Sequence, residues 1–493
     1  MDTAMDMAMV RRIIKSSVYS LSFILVMTKT SFAADVLVTP SLETKLVYTD
    51  NVNSVATNEQ TSSITYFTGG LSVQAKGNDG QLSFDYTLQQ LVYSYDSGKN
   101  KLFNSLSFNA DKGLFSTTNV RGNVAASISN VSRNLETNAN NDVSNGNTIE
   151  SRNAQAGLSY QSNPAGMFDL NTKVDASVTN NEDSVGNNHS YTGTLNLQQG
   201  QAAHTLFWSS VDRYELTQGQ SEDKNTKSTE AENEFGWRTE SGISPLVHSY
   251  YENYQGQGRS DSQDSASVGP GVRYYFSKSS YIEVGYDFTL KEDDSDSWRA
   301  KAHWAPSPRT SLDADYKQRF YGDAYTLSFK HTHHRLTNTV SYTESVSNYD
   351  RSLYIEGAEI NQLSLTKTFS WESQLAFKRT IAKLIISSDK KQSMSNIAND
   401  TQVETYSSKL NLEHKLTRSM TLTPGFQFKH YKFYNQNESN QEDYYRKWDL
   451  ELSKKFAADL SVDFELSYED RSSTSSSAAY QENRVSLNVR KEL

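Results

Sequence analysis

The feature that most constrains this chain is a two-residue alternation of apolar and polar side chains that recurs along most of its length. In Tyr281–Leu290 the apolar residues occupy every second position, and Leu460–Glu469 repeats the pattern. Successive side chains of a β-strand point to opposite faces, so such segments predict strands with one apolar and one polar face. No stretch of comparable length has the three-to-four-residue spacing of an amphipathic helix. The pattern predicts an all-β protein.

The connections between these segments alternate between short and long. Short ones include Gly77–Gly80 and Pro306–Arg309, whereas Asp50–Gln60, Asn130–Glu150 and Asn348–Gly357 are long and polar. Short turns at one end and long loops at the other are typical of outer-membrane barrels. We therefore expect a single transmembrane antiparallel β-barrel of roughly 22 strands, within a range of about 18–24, with short periplasmic turns and longer extracellular loops.

Composition favours the barrel over a soluble sandwich. A sandwich usually has about 100 residues and a compact core, whereas here the apolar face recurs without a helix or a linker. The chain has only 7 prolines but 29 tyrosines and 21 phenylalanines, which suits strands because proline cannot donate to a β-ladder. A closed barrel in lipid accommodates a uniformly apolar outer face because all its backbone groups are paired.

The first residues have the pattern of a signal peptide. Arg11, Arg12 and Lys15 precede the short apolar run Val18–Met27, and small residues before Ala34 fit cleavage after Ala33. We expect a signal peptide over 1–33, a barrel over 34–493 and a location in the outer membrane of a Gram-negative cell.

The alternation also predicts which residues face the lumen and which face lipid. Charged residues of the polar face line the lumen under this interpretation, and the apolar positions between them contact lipid. The predicted lumen-facing residues are Asp85, Glu283, Asp287, Asp313, Asp315, Lys317, Arg319, Asp463 and Glu465; the predicted lipid-facing residues are Ile282, Val284, Tyr286, Phe288, Val462, Phe464 and Leu466. Acidic residues predominate in this lining, which would disfavour anions, although a hydrated lumen is polar whatever passes through it.

No motif predicts catalysis or a cofactor. The chain has no cysteine, which excludes thiolate metal sites and cysteine nucleophiles, and it has no G-x-S-x-G motif. In a strand His331 and His333 would share one face and His334 would lie on the other, so the three side chains would not converge on a metal ion. The net charge of -10 argues against a nucleic-acid partner. We expect a protein that is not an enzyme and holds no cofactor or metal.

Two segments resemble a known family. The opening Pro40–Leu42 with Tyr48–Val52, and the run Asp315–Arg351 containing RFYG, AYTLSFKH and VSYTESV, resemble outer-membrane barrels associated with the PEP-CTERM/exosortase system. The resemblance implies a role as a porin-like conduit in exopolysaccharide secretion. Its implied partners are the exopolysaccharide and a periplasmic polysaccharide-export protein, beside the lipid and lipopolysaccharide that surround any such barrel.

The sequence leaves two other functions open. One is a structural or adhesive surface barrel with a closed lumen, whose long loops bind an external partner. The other is a general diffusion porin for small solutes. An energised receptor with an internal plug domain is disfavoured because strand-like sequence begins within a few residues of Ala34.

Overall fold

The structure is a computed structural model of an all-β chain that closes into one antiparallel barrel of 24 strands. It describes residues 35–115, 119–133, 138, 142–220, 225–256, 263–291, 295–347, 363–394, 402–434, 440–456, 459–475 and 478–493. Within these residues no helix has the length and apolar character needed to cross a membrane. The predicted signal peptide and its cleavage site lie outside the described residues.

The strands follow one another around the barrel in chain order. They are β1 Asp35–Thr49, β2 Ser62–Lys76, β3 Gly80–Tyr93, β4 Lys101–Gly113, β5 Val120–Ser132, β6 Thr148–Gln161, β7 Phe168–Asn181, β8 Asn188–Gln199, β9 Leu206–Gln218, β10 Thr226–Trp237, β11 Ile243–Gly256, β12 Gln263–Ser277, β13 Ser280–Thr289, β14 Ser297–Ser307, β15 Thr310–Arg319, β16 Gly322–His333, β17 Leu336–Ser347, β18 Ser364–Ala376, β19 Thr380–Ser393, β20 Gln402–Lys415, β21 Met420–Tyr434, β22 Gln441–Lys455, β23 Leu460–Ser473 and β24 Tyr480–Glu492.

The barrel closes where the last strand meets the first. β24 pairs antiparallel with β1, and Val489 lies opposite Thr44 in that register. Closure removes both free sheet edges, so the strands satisfy their ladder groups within the chain. The predicted architecture is confirmed, and the observed strand number lies at the top of the expected range.

The alternation along each strand separates an apolar exterior from a polar interior. In β13, Ile282 and Val284 are 51% and 45% exposed, whereas Glu283 between them is fully buried. Trp237 and Trp304 lie toward the short turns and Trp298 toward the long loops, as expected for aromatic girdles at the two membrane interfaces. The exterior is therefore an apolar band suited to lipid.

Short and long connections alternate over most of the barrel, with two exceptions. The β7–β8 connection has six residues, as do the β6–β7 and β8–β9 connections on either side of it. The two-residue connection Phe320–Tyr321 between β15 and β16 lies at the end of the barrel that otherwise carries the long loops. Gly322, at φ 106°, allows this tight reversal because a left-handed backbone suits glycine. A connection this short carries no loop signal in the sequence, which helps to explain why the sequence count fell below 24.

The stretch Trp371–Lys391, where the alternation loses its phase, contains two strands. β18 and β19 meet at the turn Phe377–Arg379. Ile386 lies opposite Trp371 on the outer face, whereas Ile385 lies opposite Glu372 on the inner face. Apolar residues on both faces of β19 therefore obscure a regular strand.

Candidate functional site

The interior of the barrel is the candidate functional site. The residues predicted to face the lumen lie on the inner face of the barrel wall, and those predicted to face lipid lie on its outer face. Asp315 lies opposite Lys301, which lies opposite Glu283, so all three share the inner face. Asp313, Lys317 and Arg319 follow on that face of β15, as do Asp287 on β13, Asp463 and Glu465 on β23, and Asp85 on β3. The positions between them, Ile282, Val284, Tyr286, Phe288, Val462, Phe464 and Leu466, lie on the outer face.

The wall is sharply bent between β10 and β15, a region named here the bend. Cα atoms of β11 and β13 approach within 8 Å of each other, although two strand spacings on a flat sheet measure about 9.6 Å. Lys317 of β15 pairs with Glu232 of β10, five strands away, which is about 24 Å along the wall. A lysine and a glutamate cannot bridge that distance on a gently curved wall. The bend therefore folds the inner face onto itself.

The sequence of β12 permits this bend. Gly269 and Gly271 occupy inner-face positions on either side of the outward-facing Pro270, which has no N–H to donate to the ladder. A Cβ at Gly269 would lie 1.9 Å from the carbonyl oxygen of Tyr286, and one at Gly271 would lie 3.2 Å from Nη2 of Arg299. The missing side chains let the neighbouring strand and the Arg299 guanidinium occupy the inside of the bend.

A network of buried ion pairs fills the inside of the bend. Glu283 accepts from Nε of Arg273 at 2.7 Å and also from Arg299. Nη2 of Arg273 reaches Glu234 at 2.7 Å, and Lys301 reaches the same carboxylate at 3.2 Å. Burying a carboxylate or guanidinium is costly unless it is paired and hydrogen-bonded. The reciprocal pairing offsets the cost of burying Glu283 and Arg299, which are 0% and 1% exposed.

The network continues toward the long-loop end of the barrel. Arg319 donates to Glu252 at 2.8 Å and to the Tyr254 hydroxyl at 3.0 Å. Nδ1 of His248 lies 3.0 Å from Asp287. Most of the charged residues predicted for β13 and β15 are therefore held in ion pairs across the bend.

The acidic character expected of the lining is reduced here by cations that the sequence reasoning did not assign. Arg273, Arg299 and Lys301 all point inward. Their position could have been found from the alternation in β12 and β14, where each lies between outward-facing residues. Asp313, also in the bend, has its carboxylate 2.5 Å from Nδ1 of His303. The remaining predicted lining residues, Asp85 on β3 and Asp463 and Glu465 on β23, lie apart from the bend.

A second inward feature is the part of the β5–β6 connection over 142–147, named here the strap. Asp142 forms an ion pair with Arg484 of β24, and the Tyr93 hydroxyl of β3 donates to the Ser144 carbonyl at 2.8 Å. Val143 packs against the inward apolar cluster Val47, Val52, Ile64, Leu91, Tyr93 and Phe103. We expected Asn130–Glu150 to be an outward loop, but the strap lies against the inner wall of the barrel at the long-loop mouth.

The strap ion pair has a perturbed carboxyl group. Burial pushes the pKa of Asp142 upward, but the Arg484 charge and the hydrogen bonds from Ser144 outweigh this and hold that pKa below its ordinary value. Asp142 is therefore ionised at neutral pH and holds the strap to the wall.

The described residues contain no group of three or more His, Asp or Glu side chains that could hold a metal ion. His331 and His333 stack along one face of β16 with ring centroids 6.4 Å apart. His334 lies in the following turn at φ 53°, with its Nδ1 2.9 Å from Nε2 of His333.

Comparison with known proteins gives one family match. Residues 361–493 match the family model described as "Putative beta-barrel porin 2". The match spans the last quarter of the chain, from the segment before β18 to the C-terminus. No curated protein matches the chain.

Solved outer-membrane proteins are among the structures similar to this chain. The FrpB iron transporter of Neisseria meningitidis (F3-3 variant) is 11% identical, with 92% of this chain and 81% of that chain covered at a TM-score of 0.48. The siderophore receptor PirA of Acinetobacter baumannii is 9% identical, with 94% and 81% covered at 0.46. A loop-deletion mutant of OmpT from Vibrio cholerae is 10% identical, with 94% and 100% covered at 0.34.

At these identities and TM-scores the likeness does not extend to function. None of the matches named above carries the PEP-CTERM/exosortase association, which stays a resemblance. The apolar outer band, the closed barrel and the porin-family match together place the chain in an outer membrane.

Proposed function

We propose that this barrel is a non-catalytic outer-membrane conduit for secretion of an exopolysaccharide. The observation that carries the proposal is a closed barrel of 24 strands whose inner face is polar and charged while its outer face is apolar. Barrels of 16–18 strands already enclose an aqueous channel, so 24 strands give enough wall for a hydrated glycan. The exopolysaccharide itself is inferred from the sequence resemblance.

The bend and the strap act on different parts of such a conduit. The bend closes part of the interior with fixed ion pairs, and the strap narrows the mouth through contacts at its tip. The route for polymer is then the part of the interior that the bend leaves open, and the strap moves aside at the mouth when polymer passes. In this proposal the short turns face the periplasm, where a polysaccharide-export protein delivers the polymer, and lipid and lipopolysaccharide surround the apolar band.

The test is deletion of the chain in its native host. We expect surface exopolysaccharide to be lost while polymer accumulates inside the cell, and complementation with the wild-type chain to restore the surface fraction. Unchanged surface polymer in the deletion strain would reject secretion.

The strap also favours a second candidate, a structural or adhesive surface barrel with a closed lumen. A strap anchored on β24 and β3 occupies part of the mouth. This candidate predicts that the deletion strain loses adhesion and keeps its surface polymer. A diffusion porin for small solutes predicts instead slower uptake of those solutes with both other properties unchanged.

A further inference from the structure

The short-turn end of the barrel carries a one-sided row of cations. We name it the basic arc: Lys278, Arg309, Arg335, Lys378, Arg379 and Arg418, which lie in five successive short turns between β12 and β21. Those five turns contain no acidic residue. Neighbouring short turns are two strands, or about 10 Å, apart, so the arc extends over about 38 Å of the rim. Lys454 and Lys455 extend it at the end of β22.

The cations of the basic arc are exposed and have no ionic partner among the described residues. All six side chains are exposed, and no described carboxylate lies within 4 Å of any of them. Arg335 does lie over the Phe377 ring, 5.7 Å from its centroid. The contrast with the bend is clear, because Arg273, Arg299, Lys317 and Arg319 each pair with at least one carboxylate there. The basic arc is thus a concentration of uncompensated positive charge.

The one-sidedness of the arc argues against simple contact with the membrane leaflet. Exposed apolar residues occur around the whole rim, with Phe115 and Phe168 on one half and Phe377 and Phe456 on the other. Aromatic residues at this level are expected wherever a barrel meets lipid headgroups. The five short turns between β2 and β11 contain only Asp79, Arg238 and Glu240 as charged residues. A leaflet surrounds both halves equally and accounts for the apolar residues, but not for cations on one half.

The shape of the arc favours a flexible polyanion over a folded protein. Stable protein interfaces bury about 800 Å² per partner around a packed core. Turns of two to four residues separated by about 10 Å offer charged tips with little continuous surface. A flexible chain with repeated negative charges needs only such tips, because a row of like charges raises its local concentration.

We infer that the basic arc binds an anionic polysaccharide, which makes the cargo of the proposed conduit a polymer bearing carboxylate or similar acidic groups. That the bound polymer is the exported polysaccharide rests on the proposed function. That the polymer is anionic rests on the basic arc alone. The arc collects the polymer on one side of the short-turn mouth before it enters the lumen. The acidic lining expected from the sequence opposes this entry less than it would if unpaired, because Arg273, Arg299, Lys301, Lys317 and Arg319 neutralise carboxylates of the bend.

The test measures binding of polygalacturonate, a defined acidic glycan, to the full-length barrel in a neutral detergent, with dextran of similar length as the neutral comparison. We expect polygalacturonate to bind at low ionic strength, dextran not to bind, and added salt to weaken the complex. The double variant Lys378→Gln with Arg379→Gln should weaken binding about fivefold or more. The matched control is Lys76→Gln with Arg238→Gln, two exposed cations on the other half of the rim, which should leave affinity unchanged.

Several outcomes would overturn the inference. Equal binding of dextran, or an equal loss in both double variants, would remove the basic arc as the site. Charge-dependent binding to phosphatidylglycerol vesicles with none to polygalacturonate would assign the arc to lipid, and binding to neither would reject it. If deletion abolishes surface polymer but that polymer contains no acidic sugar, the inference about the basic arc fails while the proposed role in secretion stands. If secretion is intact in the deletion strain, the proposed role in secretion is rejected, whatever the arc binds.

Discussion

At the scale of single residues, the position of a charge decides whether this barrel tolerates it. Val284 faces outward, and an arginine near the bilayer midplane costs about 2–4 kcal/mol. We expect Val284→Arg to reduce the heat-modifiable folded barrel seen on electrophoresis. Asp85→Arg, at an exposed inner position, should leave folding near wild type. Equal losses in both variants would contradict the assignment of faces.

Removing one partner of the buried network should cost more than removing an exposed charge. Glu283→Ala leaves Arg273 and Arg299 buried without their shared carboxylate, and such a loss costs about 3–5 kcal/mol. Glu465→Ala removes a partly exposed partner of Lys45, which is worth less than about 1 kcal/mol. Urea unfolding in detergent micelles should give a clearly lower midpoint for the first variant only. Similar midpoints would mean that the bend is not held by these pairs.

At the scale of elements, the sequence predicted the strands but not how they curve. Alternation in Tyr281–Leu290 is sufficient to identify β13 and its two faces, because burial in a barrel wall has the period of the strand. The curvature depends on Gly269 and Gly271, and the need for glycine there comes from the close approach of Tyr286 and Arg299, which belong to other strands. Such long-range contacts are not visible in a local pattern. The inward strap was missed for the same reason, because its anchor Arg484 is remote in sequence.

The bend offers a test at this scale. A Cβ at Gly269 would lie 1.9 Å from the Tyr286 carbonyl oxygen, whereas one at Gly193 on β8 meets nothing within 4 Å. Gly269→Ala should therefore lower the folded yield, while Gly193→Ala should be neutral or slightly stabilising because glycine is unfavourable within a strand. A Gly269→Ala barrel as stable as wild type would show that the wall tolerates a wider curve at β12.

The strap should respond to acid in a defined direction. The pKa of Asp142 is lowered in the folded barrel, so the stability from its ion pair is present above the ordinary aspartate pKa of about 3.9 and is lost as pH falls through the lowered value. Channel conductance in planar bilayers should stay constant from neutral pH to about pH 4 and rise only below it. Asp142→Asn should be open at neutral pH and lack this acid response. The control variant Asp96→Asn, in the β3–β4 loop, should behave as wild type. If Asp142→Asn still responds to acid, the response comes from a group other than Asp142.

At the scale of the whole molecule, the strap provides a way to separate a conduit from a closed surface barrel. The chain has no cysteine, so Asp142→Cys with Arg484→Cys introduces the only two thiols. A short bismaleimide joining them would fix the strap to the inner wall so that it cannot move aside, whereas the double variant without reagent has lost the ion pair and should have a freer strap. If polymer passes through the lumen, cross-linked cells should lose surface polymer while untreated cells keep at least the wild-type amount. The single variant Asp142→Cys treated with the same reagent controls for modification alone. Secretion that continues in cells with a fully cross-linked strap would show that polymer does not pass through this mouth, and the adhesive barrel would then be the better account of the fold.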